Sequence, residues 1–244
     1  MRGTLSSIWP LFFGLFLIAL SIGIQGSLLG LRADSEGFST FTTGLVMSGY
    51  YVGFLFGSIR GPKIIKRVGH VRTFGALTAL ASITILVHMV FVDPSVWFVM
   101  RVITGVAMSG IYVVAESWLN SSAQDSNRGQ ILSAYMITMF LGLFGGQFLL
   151  NLADPNSFEL FSLISILVSF AAIPILLTAT PTPIIEQSES ISLRKLFAWA
   201  PLGVVGCFLV NMCLAMVFGM AAVYARQIGM NIEEISYFMG AIIF

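Results

Sequence analysis

Apolar runs alternate with short polar breaks along the whole chain. Seven such runs cover residues 9–31, 43–59, 73–92, 96–119, 131–153, 158–178 and 197–225, and an eighth begins at 235. A membrane-crossing helix needs about 20 mostly apolar residues, and a crossing strand about half that. The seven runs are helix-sized. A helix also closes its own backbone hydrogen bonds, which lipid demands. The pattern therefore predicts an all-α membrane protein. Asp-Pro steps at 93–94 and 154–155 mark breaks after the third and fifth runs. The eighth run covers only 235–244, about half a span, which predicts that the chain is cut short within an eighth helix.

Composition sharpens this. Hydrophobic residues make up 57% of the chain and charged residues only 9%. A soluble domain carries about 25% charged residues, so this chain could not cover a water-facing surface. The 9–31 run exceeds the ~7–15 residues of a cleavable signal's apolar region, so it reads as a retained first span. Cys207 and Cys213 lie six apart in one apolar run and read as small buried hydrophobes. No cysteine–histidine cluster has metal-ligand spacing, and the basic residues are not interleaved with aromatics. No metal, cofactor or nucleic-acid partner is predicted. His70 and His88 fall at opposite membrane faces, and no paired acids share a helix face at depth. The G-x-x-x-x-G-K-[ST] phosphate loop is absent. These features argue against an enzyme.

Charge placement fixes orientation. With the N-terminus in the cytoplasm, the inner side collects Arg2, Arg60, Lys63, Lys66, Arg67, Arg72, Arg128, Arg194 and Lys195, and the outer side only Arg32 and Arg226. Nine against two follows the positive-inside rule. Trp9, Trp97, Trp118 and Trp199 fall at predicted helix ends and read as interface anchors. Residues 181–196 are polar, with Pro, Ser and Glu, and read as a cytoplasmic linker. The domains expected are a six-helix bundle over 1–180, this linker, and the start of a second bundle over 197–244. The six helices divide into three and three of opposite direction, the topology of an inverted repeat.

The stretch 49–72 (GYYVGFLFGSIRGPKIIKRVGHVR) joins two signals. Gly49, Gly53, Gly57 and Gly61 recur every fourth residue and make one smooth helix face. Small residues let helices approach closely in lipid, where no hydrophobic drive assembles them. That face is either a static packing surface or a sliding contact. The second half reads as a tight basic loop at the membrane surface. Aligned on Gly69, this loop resembles the signature between helices 2 and 3 of the major facilitator superfamily, with Arg67 and Arg72 at basic positions. Lys66 stands where the signature has an aspartate, Pro62 where it has its first glycine, and His70 and Val71 replace a basic pair. RVITG at 101–105 resembles the family's helix 4 element, an arginine four residues before a glycine, here Gly105. ESWLN at 116–120 and VGHVR at 68–72, with Arg128 and Gly129, resemble the YcaD-like bacterial branch. The resemblance implies the family's transporter fold, a place in the bacterial cytoplasmic membrane and a small-solute partner. It also implies a cavity lined by helices 1, 4 and 7.

Polar residues within spans are the functional candidates. At 1.5 Å per residue, Gln25, Arg101 and Gln147 fall in one layer in the outer third of helices 1, 4 and 5. Asn211 of helix 7 falls lower, and all four are substrate or coupling candidates. Arg101 could instead reach the outer interface. Glu116 lies near the inner face, where a charge pair with Arg67, Arg72 or Arg128 would tie helix 4 to the basic loop in one state of the inner side and break on switching. A proton carrier is the alternative. Tyr50, Tyr51 and Tyr112 either line the path or pack. His88 reads as a structural histidine near Asp93. The expected function is secondary active transport of a small solute by alternating access, coupled to protons. A non-transporting sensor on the same scaffold is the alternative, given Lys66. A polar or anionic solute and efflux of amphipathic compounds both fit the sequence.

Overall fold

The computed structural model describes residues 2–124, 126–177 and 192–243. Helices α1 (Arg2–Ser35), α2 (Thr40–Val68), α3 (His70–Val90), α4 (Pro94–Ser122), α5 (Arg128–Phe148) and α6 (Glu159–Leu176) form a bundle, and a 3-10 turn at Leu149–Leu152 extends α5. The short α7 (Leu193–Trp199), the long α8 (Pro201–Gln227) and α9 (Ile232–Ile243) follow. Among the described residues there is no strand. The described part of the protein is all-α, as expected from the sequence.

Local chemistry starts and stops these helices. Asp93 caps α4: its Oδ1 accepts from the Ser95 and Val96 N–H groups, and Pro94 fills the first turn. An aspartate followed by a proline suits that position because proline has no N–H to leave unpaired. Ser39 caps α2 by accepting from the Thr42 N–H. A single residue, Gly69, separates α2 from α3, with φ +92°. Only glycine enters that region without strain.

The basic loop expected around residues 60–72 is therefore not a loop. Arg60, Lys63, Lys66 and Arg67 lie within α2, and Arg72 lies in the first turn of α3. Lysines, arginines and isoleucines here tolerate helix, and cations at a helix C-terminus complement its dipole. The last predicted span is also divided, because Pro201 begins α8 afresh after Ala200. Most of the expected 181–196 linker lies outside the described residues.

Six helices are long and apolar enough to cross a membrane: α1, α3, α4, α5, α6 and α8, each counted over its described apolar part. The protein is a multi-pass membrane protein. The 29-residue α2 is long enough but diluted by glycine and tyrosine, and its glycines form its packing face. Leu55, Ile83, Ile137, Ile166 and Phe170 project outward, an apolar surface suited to lipid.

Packing has an internal twofold pattern. Helix α1 packs mainly on α5 and α6, α4 mainly on α2 and α3, and α3 packs on α6. Exchanging the first three helices for the second three maps this set of contacts onto itself, as an inverted repeat requires. The two tightest crossings are both glycine-lined. On α2, a methyl at Gly49 would come within 2.9 Å of the Phe98 carbonyl oxygen of α4. At Gly53 it would overlap the Val102 carbonyl, and at Gly57 it would meet Val106 and the Ser109 hydroxyl. Gly105 of α4 closes the crossing from the other side, against the Tyr50 backbone. Gly142 and Gly146 of α5 face Phe16, Leu20 and Gly23 of α1 in the equivalent manner. Gly61 differs: a methyl added there would stand 3.8 Å from its nearest neighbours, Gly110 and Val113.

Two expectations about side-chain facing are corrected. Trp9 and Trp199 are exposed, but Trp97 and Trp118 are buried inside the bundle. Trp97 Nε1 donates to the carbonyls of His88 and Phe91, so it anchors α4 to α3. His88 is buried as well, its Nδ1 2.7 Å from the Thr84 carbonyl oxygen. Cys207 and Cys213 are exposed, not buried. Residues 201–216 of α8 project from the bundle, whereas Gly219, Ala222, Val223 and Ala225 pack into it.

Candidate functional site

Helices α1, α2, α4, α5, α8 and α9 enclose a cavity of about 180 Å³. Gln25, Ser27, Tyr50, Tyr51, Arg101, Tyr112 and Gln147 form its polar lining. Ile22, Leu143, Phe218 and Met239 form an apolar wall. The cavity thus gathers Gln25, Arg101 and Gln147 from three helices. It does not include Asn211, which is exposed on the projecting half of α8 and donates to the Cys207 carbonyl 2.8 Å away. Depth along a helix does not determine whether a residue reaches the bundle, and the whole 201–216 half of α8 that carries Asn211 projects away from it.

Arg101 is the central feature. Its position follows from α4 being pinned at Asp93 and pressed against α2 through Gly49, Gly53 and Gly105. That close crossing brings Tyr50 beneath it: the guanidinium carbon lies 4.7 Å from the Tyr50 ring centre. Arg101 is 6% exposed, so it does not reach the outer interface. It makes no ion pair or hydrogen bond among the described residues, and its Nε is buried without a partner. A cation over an aromatic face is attracted to the ring quadrupole. That contact leaves the guanidinium donors unused.

Gln25 is 3% exposed, and its Nε2 is also buried without a partner. Gln147 is different. Its Oε1 accepts from Ser27 Oγ at 2.7 Å, and its Nε2 donates to the Gly23 carbonyl at 2.6 Å. Gln147 lines the cavity, but both ends of its amide tie α5 to α1.

Glu116 lies on a second, more open cavity of about 470 Å³, beside Tyr112, Tyr135, Ser58 and Ser109. Tyr135 donates its hydroxyl to Glu116 Oε1 at 3.5 Å. The expected charge pair is not formed. The only ion pair among the described residues is Arg32–Glu36, at 2.6 Å. Arg128 instead donates to Asn120 Oδ1 at 3.2 Å, and Arg67 and Arg72 lie apart from Glu116. The continuous α2 helix carries Arg67 on past the bundle instead of folding it back as a loop would.

At the end of the bundle opposite the basic residues, α8 and α9 contact the first six helices. Gln227 of α8 donates to Asp34 Oδ1 at 3.3 Å and to Thr40 Oγ1 at 3.4 Å. Asn151 donates to Ser236 Oγ of α9 at 3.1 Å, and Val223 packs against Gly30 of α1. Arg32 also donates to the Asn156 carbonyl there. Toward the basic end α8 leaves the bundle, and the second cavity opens. Sequence reasoning missed Ser27, Phe218 and Met239 as lining residues. Nothing in an apolar run marks which of its members face inward.

The family model described as the Major Facilitator Superfamily matches residues 11–244. The MFS-type transporter YcaD of Escherichia coli is 28% identical over 232 residues, covering 94% of this chain and 61% of YcaD. A similar MFS-type transporter of Yersinia enterocolitica is 28% identical over 237 residues. The chain thus spans about three fifths of the length of these relatives, 61% in each case. Among solved structures, a D-xylose-proton symporter aligns with TM-score 0.65 at 12% identity, over 97% of this chain and 65% of that one. An auto-inhibited POT family peptide transporter aligns with TM-score 0.60 at 16% identity, over 89% of this chain and 51% of that one. These structures share the fold. With its family match, its twice-repeated three-helix packing and its central cavity, the chain belongs to the major facilitator superfamily.

Proposed function

We propose that the protein is a secondary active transporter that moves a small solute by alternating access, driven by protons. One observation carries this reading: Arg101 is held uncompensated in a cavity between the six-helix bundle and α8–α9. An ionisable residue inside a membrane is costly and marks a solute or ion pathway by default. A buried charge with no partner is more costly still. A ligand that enters and leaves accounts for a site left open in this way.

The family match and the MFS-type transporter relatives support transport. A proton symporter among the structures sharing the fold is in keeping with proton coupling. In this reading the basic end faces the bacterial cytoplasm, on the strength of the nine-to-two lysine and arginine count. The cavity is then shut toward the outside by Gln227, Asp34 and Thr40. Residues 1–180 and those from 197 onward act as two halves joined by the 181–196 linker. Rocking one half against the other would open the outer end. The glycine-lined α2–α4 crossing holds Arg101 in place meanwhile.

Glu116 is the proton-binding group in this reading. It has no cation within ion-pair distance among the described residues and lines the cavity that opens toward the basic end. A carboxylate that is not tied to a fixed cation can change its protonation state during a cycle.

The test is flux in proteoliposomes that hold the full-length protein and are loaded with a pH-sensitive dye. A solute taken from a panel of labelled small metabolites should move down an imposed proton gradient and carry protons with it. Arg101→Ala should abolish both movements. If neither solutes nor protons move under any gradient, with the protein folded, the transporter reading fails.

A further inference from the structure

We propose that the solute of this cavity is a small organic anion whose carboxylate is bound by Arg101 and Gln25. The inference rests on the transporter reading for its biological meaning, but its site is argued from geometry alone.

Charge comes first. Arg101 contributes a positive charge, and no aspartate or glutamate lines the cavity among the described residues. Glu116 lines the neighbouring cavity, not this one. A neutral or cationic solute would leave the buried guanidinium uncompensated, whereas an anion would neutralise it.

Hydrogen-bonding capacity comes second. Two buried nitrogens in one cavity have no partner: Nε of Arg101 and Nε2 of Gln25. Both are donors, so the missing partner is an acceptor. The cavity's other amide does not compete, because Gln147 is already bonded to Ser27 and Gly23. The Tyr50 ring lies 4.7 Å from the guanidinium carbon, and a ring face accepts no ordinary hydrogen bond, so this contact leaves the arginine's donors without an oxygen partner. Guanidinium edges and carboxylates match in geometry and form charge-assisted bonds.

Shape comes third. The same lining carries Ile22, Leu143, Phe218 and Met239. An apolar group attached to the carboxylate would bury against that wall. The class is therefore a small carboxylate with an apolar body, rather than a sugar with polar groups on every side.

The test is a matched ligand series on the purified protein. Butanoate and benzoate are compared with butanamide, benzamide, butylamine, benzylamine and inorganic phosphate, by calorimetry and thermal shift. A carboxylate is expected to bind about tenfold or more tightly than its own amide and amine, as loss of a charged hydrogen-bond partner implies. Arg101→Gln should remove that preference. Gln25→Glu, which sets a carboxylate against the ligand, should weaken carboxylates about tenfold and leave amides unchanged. Arg101→Lys keeps the charge and should keep the preference at lower affinity, so it serves if Arg101→Gln does not fold. Amides or amines binding as tightly as carboxylates would overturn the proposal. So would phosphate outcompeting both carboxylates, or Gln25→Glu binding them normally. The transporter reading fails separately: carboxylate binding without flux in proteoliposomes contradicts transport and leaves the site standing. Flux of neutral or cationic solutes without carboxylate binding does the reverse.

Discussion

Arg101 lies with its guanidinium 4.7 Å from the centre of the Tyr50 ring, and no ion pair accompanies that contact among the described residues. The ring face, not the hydroxyl, makes this contact. Tyr50→Phe should therefore leave Arg101 in place, while Tyr50→Leu should lose about 0.5–2 kcal/mol of cation–π attraction. Thermal unfolding of the two variants in detergent checks this. Equal destabilisation by both would mean that the hydroxyl matters instead.

The α2–α4 crossing sets that distance, and its glycines are not equivalent. Gly53→Ala would drive a methyl into the Val102 carbonyl, which belongs to a helix backbone and cannot swing aside. Overpacking of this kind costs about 1–3 kcal/mol, so a fall in melting temperature of several degrees is expected. Gly61→Ala meets only ordinary contacts at 3.8 Å and should unfold within about 0.5 kcal/mol of the parent. Melting curves of the pair separate a general glycine preference from this specific contact.

Gln147 faces the cavity yet works as a tie between α5 and α1. Gln147→Leu leaves Ser27 Oγ without its acceptor at 2.7 Å and should cost about 1–3 kcal/mol. Gln147→Glu keeps an acceptor for Ser27, but its ionised form sets a second oxygen against the Gly23 carbonyl, so it should cost at least as much as Leu. Thermal unfolding of both variants gives the order. Solute affinity after correction for folded fraction should change little in Gln147→Leu, whereas Gln147→Glu adds a carboxylate to the cavity lining and should weaken carboxylate binding.

Glu116 touches Tyr135 and, among the described residues, no cation. Glu116→Gln keeps the size and the acceptor for Tyr135 but cannot release a proton. Proton-driven accumulation should be lost, while solute exchange across equal proton concentrations should persist. Arg67→Gln and Arg72→Gln should leave both activities near the parent level, since neither residue pairs with Glu116. Transport and counterflow assays on the same proteoliposomes distinguish these cases.

Most of the fold is legible in the sequence, because span length and charge placement are set by the bilayer. Depth is legible too. Counting 1.5 Å per residue from the helix ends groups Gln25, Arg101 and Gln147, and the three line one cavity. Rotation about a helix axis is not legible in a span that is apolar all round. Hence Trp97 and Trp118 face into the bundle; Asn211 and the two cysteines are exposed for another reason, because residues 201–216 of α8 project from the bundle as a whole. Gly69 shows a third limit. A dense run of basic residues resembles a surface loop, yet each of them tolerates helix, and one glycine at φ +92° makes the whole turn. The pairing of Glu116 with Arg67, Arg72 or Arg128, expected for one state of the inner side, is not made in this structure. The use of Gln147 as a tie depends on Ser27 one turn from Gly23, a relation across two helices that no single run displays.

Alternating access requires that one cavity, holding Arg101, open to each side of the membrane in turn. A single cysteine at Ile22, with Cys207→Ser and Cys213→Ser, reports this through labelling by a membrane-impermeant maleimide applied to either face. Labelling from both faces is expected, with Gln227→Ala speeding reaction from the end that Asp34 and Thr40 close. Labelling from one face only, unchanged by solute, proton gradient or Gln227→Ala, would contradict it.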